Sequence, residues 1–176
     1  MTGGRAVLAA VAVALLAACG PTQVQQEFQK PTCQPSGVLG LMAQAVPTSR
    51  FLPCIAQFPA GWSFEANDIE SSRASFWMNS DRAGFKALEV TLTRTCRPTG
   101  EPLPSDTVGT RLFAADGKGK RYVGARYYLF QGGCIVYRFD FPRAQAPFLV
   151  TDMTNAVGVF PRAALLEAAR KLGLKV

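Results

Sequence analysis

The sequence contains no histidine, and this absence removes several kinds of catalytic site at once. A Ser-His-Asp triad and a Cys-His pair both use an imidazole as the general base, so neither can be built from this chain. A Ser-x-x-Lys arrangement, which would supply a lysine base instead, is also missing. The sequence therefore argues against nucleophilic catalysis of these kinds and favours a non-catalytic role.

Metal-binding and phosphate-binding motifs are missing as well. The four cysteines after Cys19 are 21, 42 and 38 residues apart, and without C-x-x-C pairs or histidine they do not fit a zinc site. The segment 117–120, Gly-Lys-Gly-Lys, looks like the end of a phosphate loop. Leu112 and Ala114, however, stand where G-x-x-x-x-G-K needs its first glycine, so the segment predicts a hairpin turn. We expect no metal and no cofactor.

Long runs of like charge are missing too, although the chain is basic. It carries 19 Lys and Arg against 12 Asp and Glu, a formal net charge of +7. This balance suits anionic lipid headgroups or acidic polymers of a cell envelope. Nucleic acid is not an expected partner, because the first residues indicate that the chain is exported.

An export signal is the most specific feature that the sequence does contain. An apolar run, Ala6–Ala18, follows Arg5, and its 13 residues are too few for a membrane span, which needs about 20. The run ends in Leu16-Ala17-Ala18-Cys19, which resembles the lipobox of bacterial lipoprotein precursors. The resemblance implies a signal peptide at 1–18, cleavage before Cys19, and acylation of the Cys19 thiol. An ordinary signal peptide is the alternative, but Leu16 is bulky where the general peptidase prefers a small residue.

These features predict a protein outside the cytoplasm, attached to the cell membrane by lipid on Cys19. Residues 19–36 are rich in Gln, Pro and Thr and predict an anchor followed by a flexible tether. The four remaining cysteines predict two disulfides in one of three connectivities. We favour Cys33 with Cys54 and Cys96 with Cys134, because Cys96 closes one predicted strand and Cys134 opens another.

Residues 37–176 predict a single α+β domain. Val38, Leu41, Met42, Ala45 and Val46 indicate a helix over 37–45, which packs in the core or, as the alternative, lies on the membrane. Further helices are predicted near 148–157 and over 161–172. Alternating apolar and aromatic residues predict strands at 62–66, 73–78, 85–96, 110–114, 120–130 and 134–141. Turn residues at 79–84, 116–117 and 132–133 make the pairing antiparallel. We expect a meander sheet of about five or six strands packed against N-terminal and C-terminal helices, with Leu165, Ala168, Ala169 and Leu172 covering the sheet.

Two surface features have alternative interpretations. Lys118, Lys120 and Arg121 lie at a predicted hairpin tip, which is either a solvated turn or a contact for anionic headgroups. Two neighbouring strands carry a group of aromatic residues that either pair across the strands to hold the sheet or form a groove for an apolar ligand or partner. These residues are Tyr122, Tyr127, Tyr128, Phe130, Tyr137 and Phe139.

The order of Gly61-Trp62, meander strands and a terminal helix is similar to the PsbP-like domains of some bacterial lipoproteins. The resemblance implies an α+β sandwich that serves mainly as a binding or assembly module, and it assigns no residue.

The sequence as a whole predicts a membrane-anchored lipoprotein that acts as a non-catalytic binding or accessory module of the cell envelope. A carrier of lipid or another apolar molecule is one alternative, and it requires a large apolar cavity between sheet and helices. A histidine-free hydrolase is the other, and it requires two carboxylates converging in a cleft. Its candidate acids are Asp68, Glu70, Asp81, Glu89 and Asp140, which spacing alone indicates to be structural or solvated. A binding module, whose possible partner is an envelope protein, predicts an exposed apolar patch instead.

Overall fold

The computed structural model describes residues 33–173 of the chain. The predicted signal peptide over 1–18, Cys19 and most of the predicted tether lie outside the described residues. The helices are α1 (Gly37–Ala45), α2 (Ala146–Ala156) and α3 (Arg162–Lys171). The strands are β1 (Phe51–Ile55), β2 (Trp62–Glu70), β3 (Arg73–Ser80), β4 (Gly84–Thr93), β5 (Glu101–Leu103), β6 (Arg111–Asp116), β7 (Arg121–Phe130), β8 (Gly133–Pro142) and β9 (Val157–Pro161).

The main sheet confirms the predicted α+β fold and has seven antiparallel strands in the order β2-β3-β4-β8-β7-β6-β5. It consists of two meanders rather than one series of consecutive hairpins. After β4 the chain crosses to the far edge of the sheet and forms β5 there. Strands β6, β7 and β8 then return one after another towards β4, so that β8, the last of them, lies beside β4. The pairing continues the apolar inner face without a break, since Leu88 and Val90 on β4 stand directly opposite Phe139 and Tyr137 on β8.

The two faces of the main sheet differ. The inner face carries α1, α2 and the small antiparallel sheet of β1 and β9, and the core lies between these layers. The alternation predicted for β4 and β8 is confirmed: Leu88, Val90 and Leu92 are buried, as are Ile135, Tyr137, Phe139 and Phe141. The sequence did not predict β1, β9 or β5. β1 and β9 lack alternation because both faces of this small sheet are largely covered, and β5 has only three residues.

The first helix has the predicted bounds, but it turns a different side to the core. The hydroxyl of Ser36 accepts a hydrogen bond from the Leu39 amide and caps its N-terminus. Leu39, Met42, Ala43 and Val46 are buried, whereas Val38 and Leu41, which periodicity assigned to the core side, are exposed. The segment is apolar on almost every side, so periodicity alone could not fix the buried face.

The last helix ends as predicted, with Gly173 at φ +74° forming a left-handed cap. Its predicted role in covering the main sheet is wrong. Of its apolar stripe only Leu165 is fully buried, and Leu172 is exposed. The helix packs on β9 and α1 instead, because its first turn follows directly from β9.

Two disulfides fasten irregular segments to the sheets, and they join the pairs that the sequence favours. Cys33 is bonded to Cys54 on β1, and Cys96, in the crossover between β4 and β5, is bonded to Cys134 on β8. Each bond therefore ties a segment without regular structure to a strand.

Candidate functional site

The outer face of the main sheet is the best candidate for a functional surface. The helices of the described chain pack on the other side, so the outer face is covered only in part, by the crossover after β4. Cys96 ties this crossover to β8, and the hydroxyl of Thr99 lies 3.2 Å from the phenol oxygen of Tyr127 on β7. The rest of the outer face is left accessible.

A groove of about 460 Å³ lies in this accessible region, and we call it the outer-sheet groove. Register places Trp77, Glu89, Arg138, Ala125 and Ala115 side by side on five neighbouring strands from β3 to β6. At about 4.8 Å between strands, this row is about 19 Å long. The groove is lined by Trp77, Lys86, Glu89, Thr99, Ala115, Val123, Gly124, Ala125, Tyr127, Arg138, Phe139 and Asp140. Small residues make its floor on β6 and β7, with aromatic rings towards both ends.

The charged groups of the groove are held in fixed positions by one another. The Glu89 carboxylate lies 3.1 Å from the Arg73 guanidinium and 3.6 Å from that of Arg138, and it accepts a hydrogen bond from the Thr91 hydroxyl. The Lys86 ammonium lies 4.9 Å from the centroid of the Trp77 ring, a cation–π distance. The groove lining contains two acids, Glu89 and Asp140, and two bases, Lys86 and Arg138. This balance favours a polar ligand of low net charge over a strongly charged one.

The predicted carboxylates are distributed over the fold. Glu89 and Asp140 line the same groove, but each is engaged by arginine, since the Asp140 carboxylate lies 2.7 Å from Arg121. Asp68 and Glu70 lie on the edge strand β2, and Asp81 lies in the turn after β3, within 3.9 Å of the Arg82 guanidinium. The structure thus brings together one pair of the five candidates, and arginines neutralise both members.

A second polar cluster lies on the inner side, where the β6–β7 hairpin meets α2. The Tyr122 hydroxyl donates to the Asp116 carboxylate, and the Arg126 guanidinium lies 2.7 Å from the same oxygen. Burial alone would raise the pKa of Asp116, but these two hydrogen bonds and the guanidinium charges outweigh it and lower that pKa. Burial, together with the hydrogen bond to Asp116, raises the pKa of Tyr122 to about 12.

This cluster borders a cavity of about 440 Å³ that α2 completes. Arg143 closes its other side, where it donates to the carbonyl oxygens of Gly117 and Gly119 and lies 5.7 Å from the centroid of the Tyr122 ring. These polar groups bond to one another, so we interpret the cluster as a clamp between the β6–β7 hairpin and the short segment before α2 in which Arg143 lies. No sequence pattern indicates this cluster, because residues 116, 126 and 143 meet only through the fold.

The basic hairpin tip is exposed, but its members differ. Lys118 and Lys120 are exposed in the turn, whereas the Arg121 guanidinium is paired with Asp140 on the neighbouring strand. A single cationic surface of all three residues is therefore not formed, because one of the three charges is already neutralised.

The aromatic residues of β7 and β8 mainly hold the core together. Tyr122, Tyr128, Tyr137 and Phe139 are buried on the inner side, and the Tyr128 and Tyr137 rings have centroids 5.2 Å apart. Tyr127 contributes its side chain to the outer-sheet groove. The side chains of Met42, Leu149, Met153 and Phe141 fill the space between the sheet and the inner layer. This packing favours the structural interpretation of the aromatic residues over an apolar ligand cavity.

Within residues 33–173, no helix has the length and apolarity needed to cross a membrane. The same part of the chain contains no cluster of three or more side chains able to hold a metal ion.

Comparison of the chain with protein-family models, with curated proteins and with solved structures finds no match.

Proposed function

We propose that this protein is a membrane-anchored, extracytoplasmic lipoprotein that acts as a non-catalytic binding or accessory module of the cell envelope. The lipobox at 16–19 supports lipid attachment to Cys19. The two disulfides indicate an oxidising environment outside the cytoplasm. The filled core favours a binding module over a carrier, and the arginine-paired acids favour it over a hydrolase.

The main support for this proposal is the outer-sheet groove. The groove faces away from the predicted anchor. The described chain begins at Cys33, which is bonded to β1, and β1 packs on the inner face of the main sheet. A membrane attached through this end therefore lies towards the inner side. The groove opens on the opposite side, where a ligand of the envelope has access to it.

The groove is suited to a polar chain with flat apolar faces, such as a glycan strand. The Tyr127 ring can stack against the C–H face of a sugar, and the balanced charges of Glu89 and Arg138 offer fixed acceptors and donors for hydroxyl groups. Ala115 and Ala125 leave room for a ring on the floor. Stacking on Trp77 would displace Lys86, at a cost of about 0.5–1 kcal/mol for an exposed cation–π pair.

The anchoring half of the proposal is tested by intact mass and fractionation. The mature protein should exceed the mass of residues 19–176 by a diacylglyceryl group and should partition with membranes. A Cys19→Ala variant should remain uncleaved or become soluble. An unmodified, freely secreted mature chain would refute the anchor.

The binding half is tested by co-sedimentation of the detergent-extracted protein with insoluble peptidoglycan. Trp77→Ala and Tyr127→Ala should each weaken binding about tenfold, which corresponds to about 1.4 kcal/mol. Phe148→Ala is the matched control, because Phe148 is an exposed aromatic on α2, outside the groove. Equal binding by all variants, or no binding by the native protein, would contradict a glycan ligand. Release of soluble sugar fragments would show an enzyme instead.

A further inference from the structure

Charged residues are distributed very unevenly along this chain. Residues 31–64 carry one charged side chain, Arg50, whereas residues 65–176 carry 27. The uncharged segment contains α1, β1 and the first residues of β2. Because surfaces of soluble domains normally carry charge throughout, a folded surface built from this segment differs from the rest of the molecule.

The segment also exposes large apolar side chains. The exposed fractions are 39% for Val38, 52% for Leu41, 47% for Phe58 and 43% for Phe64. Val38 and Leu41 are three residues apart on α1 and so lie on the same side of the helix. We call these four side chains the uncharged patch.

The uncharged segment includes both cysteines of the bridge at which the described chain begins. The Cα atoms of Cys33 and Cys54 are 6.1 Å apart, so the bridge joins the start of the α1 segment to β1. Val38 follows Cys33 by five residues, and Phe58 follows Cys54 by four. Phe64 lies on β2, the edge strand beside which α1 packs.

We propose that the uncharged patch lies against the lipid bilayer to which Cys19 is anchored; this inference rests on the proposed lipid anchor. The tether that the sequence predicts between Cys19 and Cys33 covers 14 residues, and a random coil of that length has a mean reach of about 20 Å. The patch is therefore held within contact distance of the membrane surface. Its apolar side chains can enter the boundary between headgroups and acyl chains, and no charge within it has to be desolvated.

The orientation that follows agrees with the position of the outer-sheet groove. The patch belongs to α1, to the loop after β1 and to the edge strand beside α1. The groove lies on the other face of the main sheet. A bilayer in contact with the patch therefore leaves the groove accessible.

The test uses the native acylated protein in vesicles of phosphatidylethanolamine and phosphatidylglycerol that contain brominated phospholipid. A Phe58→Trp variant reports on the patch, and Val123→Trp is the matched control, because Val123 is 59% exposed on the outer face. Relative to the native protein, whose emission comes from Trp62 and Trp77, we expect the fluorescence added by the tryptophan at position 58 to shift to the blue and to be quenched by brominated acyl chains. The tryptophan at position 123 should change in neither respect.

A second measurement requires no substitution. Amide hydrogen exchange in residues 37–45 should slow in vesicles relative to detergent solution, whereas exchange in β6 should not. If a Leu41→Glu substitution is added to Phe58→Trp, the quenching should fall, because a carboxylate at the patch opposes insertion.

The outcomes separate the two proposals. An unacylated chain that does not float with vesicles overturns the anchor, and this inference with it. An acylated, vesicle-bound chain without quenching at position 58 and without slower exchange in α1 overturns this inference alone. A blue shift that appears in detergent and depends on protein concentration assigns the patch to a second copy of the chain, which also overturns it.

Discussion

The disulfide between Cys96 and Cys134 covalently holds the crossover against the outer face of the sheet. It connects the segment after β4 to β8, and the contact of Thr99 with Tyr127 supports it further along the crossover. Replacement of both cysteines by alanine removes the covalent connection and leaves the strands themselves unchanged. The structure therefore predicts a loss of stability together with a local release of the crossover.

The size of the stability loss follows from the length of the closed loop. The Cys96–Cys134 bond spans 38 residues, for which the chain-entropy model gives about 4 kcal/mol at 25 °C. The Cys33–Cys54 bond spans 21 residues and gives about 3 kcal/mol. Cys134 is also buried, so its truncation adds a small cavity to the first loss. Since small domains are stable by about 5–15 kcal/mol, either change is large.

Urea unfolding of the native protein, of Cys96→Ala/Cys134→Ala and of Cys33→Ala/Cys54→Ala measures both losses under one set of conditions. Hydrogen exchange then locates the release. Exchange over residues 94–100 should accelerate in the first variant and remain unchanged in the second, which is the matched control. Native-like stability of Cys96→Ala/Cys134→Ala, with unchanged exchange over 94–100, would refute the role assigned to this bond.

Three further predictions concern single side chains. Gly132 has φ +80°, and a Cβ atom there would overlap a backbone oxygen, whereas Gly84 has φ +98° and open space. Gly132→Ala should therefore lower the free energy of unfolding by more than about 3 kcal/mol and Gly84→Ala by about 1 kcal/mol, and equal losses in urea unfolding would contradict the overlap. Tyr137→Phe removes a buried 3.1 Å hydrogen bond to a β9 carbonyl and should lower stability by about 1–2 kcal/mol in the same assay; no loss would show that this bond does not hold β9. The pKa of Tyr122 is raised to about 12, so its stabilising contribution is complete below about pH 10 and is lost as the pH rises through 12. Tyr122→Phe should lose less stability than the native protein between pH 10 and pH 12, and parallel pH profiles would count against this assignment.

Local structure was largely predictable from the sequence. Ser36 and Pro47 mark the limits of α1, and the alternation in β4 and β8 identifies both strands and their buried sides. These features depend on residues within one segment, because helix caps and side-chain alternation act over a few positions.

Strand order was not predictable in the same way. The crossover after β4 places β8 beside it, and no local feature of either strand specifies that neighbour. The outer-sheet groove depends on this order, since Trp77 on β3 and Tyr127 on β7 border one surface only because β4 and β8 lie between them. The alternation along β4 was predicted, but the combination of residues across the sheet was not.

Alternation along the central strands also separates stability from binding. On β8, Tyr137 and Phe139 face the core, while Arg138 between them faces the groove. On β4, Glu89 lies in the same way between Leu88 and Val90. Because neighbouring residues of a strand face opposite sides of the sheet, groove residues can change without the loss of a core contact. The same strands can thus support a constant core and, on their other face, a surface adapted to a particular ligand.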